Sequence, residues 1–378
     1  MHLRQLPARS RFVVLFITII VLLLLAVPIA ASAHPNTSVS VYQQTNLVSD
    51  LHGVAKNTDP NLVNPWGIAF SSTSPVWIAD NGTGVSTLYN GQGRKFPIDS
   101  PLVVAVPPPA GVTSAAPTGL VFNPNISTDT DGFVVSENGK SGPSLFIFDT
   151  EDGTISGWNP NVDFTHAVIA VDNSASGAVY KGLAIGSNSS GEFIYAANFN
   201  SGNIDVYDEQ FAPATLSGSF KDPGIPVGYA PFNITNLGGK LYVTYAKQNA
   251  EKHDDVSGPG HGFLDVFDTD GNFIKRLVTR APLNSPWGMA LAPSNFGQFS
   301  NDLLVGNFGN GRINAFDPNT GASLGQLKKG SGTAIIIDDL WGLAFGNGTL
   351  AGQTNQLFFT AGIGDEQHGL FGFIARSN

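Results

Sequence analysis

The segment NPWGIAF at Asn64–Phe70 returns as SPWGMAL at Ser285–Leu291 and as DLWGLAF at Asp339–Phe345. A chain that spells one strand-like heptapeptide three times is built from stacked copies of a single supersecondary unit, and that restricts it to repeat architectures. Weaker copies centre on Gly119 (Thr118-Gly119-Leu120-Val121-Phe122), Gly182 (Lys181-Gly182-Leu183-Ala184-Ile185) and Asn233 (Pro231-Phe232-Asn233-Ile234). The marker positions are then 67, 119, 182, 233, 288 and 342, separated by 51 to 63 residues.

A second marker keeps step with the first. An aromatic residue followed by Asn or Asp opens a turn at Tyr89-Asn90, Trp158-Asn159, Tyr207-Asp208, Phe267-Asp268 and Phe316-Asp317. In Asp317-Pro318-Asn319-Thr320-Gly321, proline at the second turn position and the closing glycine define a type I turn. The fifth repeat divides into WGMAL, NDLLVGNFG, GRINAF and ASLGQLKK, four short runs bounded by Gly, Asn or Pro, which read as strands. No segment after residue 33 keeps a helical period.

Four short strands per repeat and six repeats predict an all-β, six-bladed β-propeller. The sixth repeat ends too early for a fourth strand, because only three residues follow Gly369–Ala375. Val41–Val48 belongs to no repeat and supplies the missing strand, closing the last blade and removing an open junction in the ring. The marker glycine is expected to relieve crowding where six inner strands converge, and Asn233 to make the channel asymmetric at blade four.

Residues 1–33 form a separate object. Arg4, Arg9 and Arg11 precede an apolar run from Phe12 to Ala30 and the A-x-A site Ala31-Ser32-Ala33, the pattern of a signal peptide cut before His34. The alternative is an anchor retained at residues 12–31. A linker at 34–40 then precedes a single propeller domain at 41–378, exported and monomeric. Removing the three arginines reduces 19 basic residues to 16 against 29 acidic ones, a formal charge of −13. That balance excludes nucleic acid and, after cleavage, an anionic membrane as partners, and leaves a small molecule, glycan or protein. The chain has no cysteine, which excludes disulfides, thiolate metal sites and a cysteine nucleophile.

The unit PWGIAF…VWIADNGTGVSTLYN resembles the NHL-type six-bladed propeller repeat. From Gln43 to about Phe373, segments such as LFIFDTEDGTISGWNP, VDNSASGAVYKGLAIG, YAANFNSGNIDVYD and LYVTYAKQNAEKHDDVSGPGHGFLDVFD resemble a secreted bacterial propeller family of uncharacterised function. Some members of that family carry a C-terminal sorting tail, which is not present after Ser377-Asn378, so surface anchoring is not expected. The resemblance implies fold and export and brings no activity with it.

In such a ring, the residue before each marker and the end of each second strand surround one mouth of the channel, taken here as the top. Trp66, Lys181, Trp287 and Trp341 are the candidate ligand-binding residues there. The three tryptophans fall in neighbouring blades and read either as inter-blade packing or as an aromatic platform. Asp80, Asn198 and Asn307 share one register and offer oxygen ligands suited to Ca²⁺ or Mg²⁺, a set comparable to that of metal-dependent lactonases on six-bladed propellers. The alternative for these residues is turn formation alone. Blade four carries a long loop, Lys247–Gly262. Its His253, Asp255 and His261 form a second candidate metal set, for Zn²⁺ or another divalent ion, and His253 or Asp254 is the alternative catalytic base. The leading expectation is a binding or scaffold protein using the top mouth and the blade-four loop. A metal-dependent, lactonase-like hydrolase is the alternative. A hairpin inserted near DGFVVSENGKSGPS is expected on the opposite face.

Overall fold

A computed structural model describes residues 40–125 and 132–377. The signal or anchor read from residues 1–33 lies outside the described residues. Among the described residues no helix is long and apolar enough to cross a membrane. The described residues form one compact unit, an all-β ring of six blades.

The blades are antiparallel sheets whose inner strand is an end strand, and blade six adds the short strand Asn57–Thr58, parallel to the N-terminal one, at its outer edge. The six inner strands are Pro65–Ala69, Pro117–Phe122, Tyr180–Asn188, Tyr229–Leu237, Pro286–Leu291 and Leu340–Phe345. Their second strands are Val76–Asp80, Phe146–Thr150, Gly191–Asn198, Lys240–Lys247, Leu303–Asn307 and Leu357–Ala361. The N-terminal strand Tyr42–Ser49 pairs antiparallel with Leu370–Arg376, from Tyr42 opposite Arg376 to Ser49 opposite Leu370. The two ends of the ring are thus joined within blade six, as the incomplete sixth repeat predicts. The expected extra hairpin is present as Val134–Glu137 with Lys140–Pro143 between the first and second strands of blade two.

Blade three departs from the four-strand unit. It has three strands, and only the isolated bridge Tyr207–Pro213 stands where an outer strand would begin. Pro213, Pro223 and Pro226 occupy that segment, and a proline cannot donate to a ladder.

The marker glycines have a different role from the one expected. A Cβ on Gly67 would lie 2.5 Å from the Thr118 carbonyl oxygen of blade two, and one on Gly288 would lie 2.3 Å from the Trp341 carbonyl oxygen of blade six. On Gly342 it would lie 2.6 Å from the Trp66 carbonyl oxygen, which closes the ring from blade six to blade one. The missing side chain permits close approach of the neighbouring blade rather than clearing the channel axis. Side chains complete the same seam. Thr118 Oγ1 donates to the Tyr180 carbonyl at 2.8 Å and Thr360 Oγ1 to the Trp66 carbonyl at 2.6 Å.

Candidate functional site

All six residues that precede the markers, Trp66, Thr118, Lys181, Phe232, Trp287 and Trp341, are at most 4% exposed. Trp66 and Trp341 stack with ring centroids 3.4 Å apart, and Trp287 meets both edge-on at 5.9 and 5.7 Å. Phe199, Phe232 and Phe308 complete the cluster. The rings form a plug that packs the top of the channel shut. Their burial is the packing arrangement and leaves no exposed aromatic platform.

Lys181 lies against this plug. Its Nζ sits 5.2 Å from the Trp66 ring centroid, within cation–π range. It pairs with Glu151 and, at 3.4 Å, with Asp254. Burial pulls its pKa down, but the carboxylates of Glu151, Asp254 and Glu366 outweigh burial and leave it above the usual lysine value. Lys181 is therefore a fixed cation. The main chain is fixed too, because Trp287 Nε1 donates to the Lys181 carbonyl at 2.8 Å.

A rim of acids and amides surrounds the ammonium. Glu151, in the turn after the second strand of blade two, accepts from Asn81 Nδ2 at 2.8 Å. Asn81 Oδ1 accepts from Asn64 Nδ2 at 3.2 Å, and the same Asn64 amide donates to Glu366 Oε2 at 2.7 Å. Trp341 Nε1 donates to Asn64 Oδ1 at 3.1 Å, which ties the rim to the plug. Burial pushes Glu366 up to about 7, and burial together with Asp338 pushes Asp339 up to about 6. The rim thus holds more acid than its single ammonium neutralises.

The blade-four loop reaches this rim through Asp254 and His253. His253 Nδ1 lies 2.8 Å from Asp254 Oδ1, a contact that raises the histidine and pulls Asp254 down to about 2. Glu151, His253 and Asp254 could hold a metal ion, since one ligand atom from each lies within 4.8 Å of the others. The Lys181 ammonium already contacts two of the three, so a divalent ion there would face a positive charge.

The other sequence candidates are engaged elsewhere. Asp80, Asn198 and Asn307 do share a register, each paired with the start of its inner strand at Pro65, Tyr180 and Pro286. Each makes a local bond, while Asp80 Oδ1 and Asn307 Oδ1 are buried without a hydrogen-bond partner. Asp80 accepts from Thr87, Asn198 donates to Asp205, and Asn307 donates to the Pro282 carbonyl and to Asn310. Burial raises Asp80 well above the carboxylate range, which favours its neutral form. Asp255 accepts from Ser257 and Ser285, and His261 Nδ1 lies 2.7 Å from the Val256 carbonyl oxygen, so neither joins His253. Glu151 and Glu366 are not among the residues singled out from the sequence, although each follows the end of a second strand, at Thr150 and Ala361. The register that aligned Asp80 with Asn198 also brings the following turns, with Asn81 and Glu151, to this face.

No family model matches the chain. Two uncharacterised proteins of Acanthamoeba polyphaga mimivirus are similar to it: one is 34% identical over 90% of this chain and 82% of its own length, the other 33% identical over 90% and 88%. A solved glucose dehydrogenase shares the fold at a TM-score of 0.51 and 12% identity, covering 89% of this chain and all of that one. The streptogramin B lyase structure superposes at a TM-score of 0.47 and 11% identity, covering 89% and 97%.

Proposed function

This chain belongs to the family of those uncharacterised mimivirus proteins, and we propose that it is a binding protein whose site is the acidic rim above the plugged channel. The relatives found are viral, whereas the motif resemblance implied a bacterial family. In this reading the blade-four loop forms one wall and the ligand presents a positive charge. The observation that carries it is the excess of acid at the rim: Glu151, Asp254 and Glu366 act on one buried ammonium, and Asp339 lies beside Glu366. Burial raises Glu366 even though Asn64 donates to it, and a cationic ligand beside it favours its ionised form. Lys181, held protonated, serves as structure rather than as a nucleophile.

The reading includes export. The basic segment at Arg4–Arg11, the apolar run Phe12–Ala30 and Ala31-Ser32-Ala33 support cleavage before His34, which N-terminal sequencing of the exported protein tests.

A second reading, a metal-dependent hydrolase of the lactonase type, is favoured by the proximity of Glu151, His253 and Asp254. Metal analysis after mild purification, with anomalous scattering to locate any ion, separates the two. A retained divalent ion at the rim carries the hydrolase reading. A rim without one, combined with a thermal midpoint raised by an organic cation such as arginine amide, carries the binding reading. A midpoint insensitive to arginine amide, Ca²⁺, Mg²⁺ and Zn²⁺ alike sinks both.

A further inference from the structure

We propose that the lower half of the central channel is a second binding site, for a neutral small molecule with an apolar body and a few hydrogen-bonding groups. A cavity of about 310 Å³ lies there, between the marker glycines and the face at which the inner strands end. That volume is at the lower end of the range for small-molecule pockets, roughly 300–1,000 Å³. The aromatic plug closes its upper end, with Trp287 in the lining, so this chamber is distinct from the acidic rim.

Its chemistry selects the ligand. No residue lining the chamber carries a charge. An ionised ligand would give up hydration without gaining a counter-charge, which is costly. The walls are two-sided. Ile68, Leu120 and Leu343 bring aliphatic surface from blades one, two and six, while the polar side chains, Asn233, Thr235 and Asn236, all come from blade four. Two of these are held in place: Asn233 Nδ2 donates to the Trp287 carbonyl and Asn236 Nδ2 to the Ile185 carbonyl, each at 2.9 Å. Because every inner strand is an end strand of its sheet, its free edge also offers main-chain N–H and C=O groups along the wall. A wholly apolar occupant would strand those groups, and a charged one would find no partner. A neutral molecule of one or two rings with a donor or acceptor meets both conditions.

The test uses a neutral fluorophore, N-phenyl-1-naphthylamine, titrated against the whole protein. Its sulfonated counterpart, 8-anilinonaphthalene-1-sulfonate, serves as the charged comparison. Saturable one-to-one binding of the neutral probe is expected, with the sulfonate weaker by about tenfold or more for want of a counter-charge. Ala344→Phe, which narrows the chamber, is expected to weaken the neutral probe by a similar factor while near-ultraviolet circular dichroism stays unchanged. Thr235→Phe narrows it from blade four and serves if the first variant fails to fold. Equal binding of the two probes, or binding that neither variant reduces, overturns the proposal, as does the absence of saturable binding.

Discussion

Asn233 donates its side-chain amide to the Trp287 main-chain carbonyl at 2.9 Å, joining blade four to blade five at a position where the other five blades carry glycine. Its Oδ1 also accepts from the Ile234 N–H at 2.8 Å. One seam of the ring is thus held by a side chain and not by close backbone approach. Asn233→Ala leaves a buried carbonyl without its donor, and a loss of about 1–3 kcal/mol in unfolding free energy is expected from denaturant titration. Asn233→Asp should lose more at pH 7, where its carboxylate faces the Trp287 oxygen, and recover part of the loss at pH 4, where the protonated acid can donate. Equal stability of Asn233→Asp at the two pH values, relative to wild type, would show that the amide does not hold this seam.

At the glycine seams the constraint is steric. A Cβ at Gly288 would meet the Trp341 carbonyl oxygen at 2.3 Å, and backbone cannot rotate away as a side chain can. Gly288→Ala is expected to cost roughly 1–3 kcal/mol, the range for forcing extra atoms into a packed interior. Gly330→Ala is the matched comparison: the residue is exposed, and its nearest contact would be Val41 Cγ1 at 3.4 Å. It should stay within about 0.5 kcal/mol of wild type. Similar losses at both positions would remove the close-approach explanation of the repeated motif.

These seams mark the boundary of what the sequence discloses. The repeat period, the strand runs and the orphan segment at Val41–Val48 are local patterns, and they lead directly to six blades and to closure by the N-terminal strand. The glycine signal was equally visible, but its cause lies between blades 50 or so residues apart and depends on which neighbour each Cα faces. The same holds at the rim. Trp66, Lys181, Trp287 and Trp341 were legible as mouth residues from their place before the marker. Their burial was not, because it follows from three indoles and Lys181 converging on one axis. Glu151 and Glu366 read as ordinary turn acids until folding brings them to the same ammonium. His253 and Asp255 are neighbours in sequence, yet one reaches the rim and the other turns to Ser285, a divergence set by loop conformation.

Stability should fall as pH rises from about 5 to about 8. Burial lifts Asp265 to about 8, Asp149 to about 7 and Glu366 to about 7, whereas in the unfolded chain such acids ionise near pH 4. Between those limits the native state binds more protons than the unfolded state, so the slope of unfolding free energy with pH is negative. Asp254, pulled down to about 2, acts in the opposite sense, but its contribution is complete above about pH 4. Asp265 is fully buried and must share Arg276, which lies 3.6 Å from it through Nε while bonding Asp222 at 2.8 Å. Asp265→Asn should therefore flatten the slope. Thermal midpoints of both proteins at pH 5 and pH 8 check this, and a wild-type midpoint that rises across the interval contradicts it.

Lys181 occupies, with its ammonium, the place a bound cation would take between Glu151 and Asp254. Removing that charge has two opposite consequences. Glu151 is left largely buried without its partner, and breaking a buried ion pair in this way costs about 3–5 kcal/mol, so Lys181→Met should melt earlier in metal-free buffer. The same change frees two carboxylates beside His253 with no competing positive charge, and affinity for Zn²⁺ or Ca²⁺ should rise by about tenfold or more. Calorimetric titration of each ion into wild type and variant reads the affinity directly. The thermal midpoint of the variant should recover when the ion is added, because an ion that binds only the folded state stabilises it. Lys181→Gln, of similar length and uncharged, provides the same comparison if the methionine variant does not fold. Equal metal affinity in wild type and variant would mean that the ammonium does not exclude a divalent ion, and the hydrolase reading of the rim would then gain over the binding one.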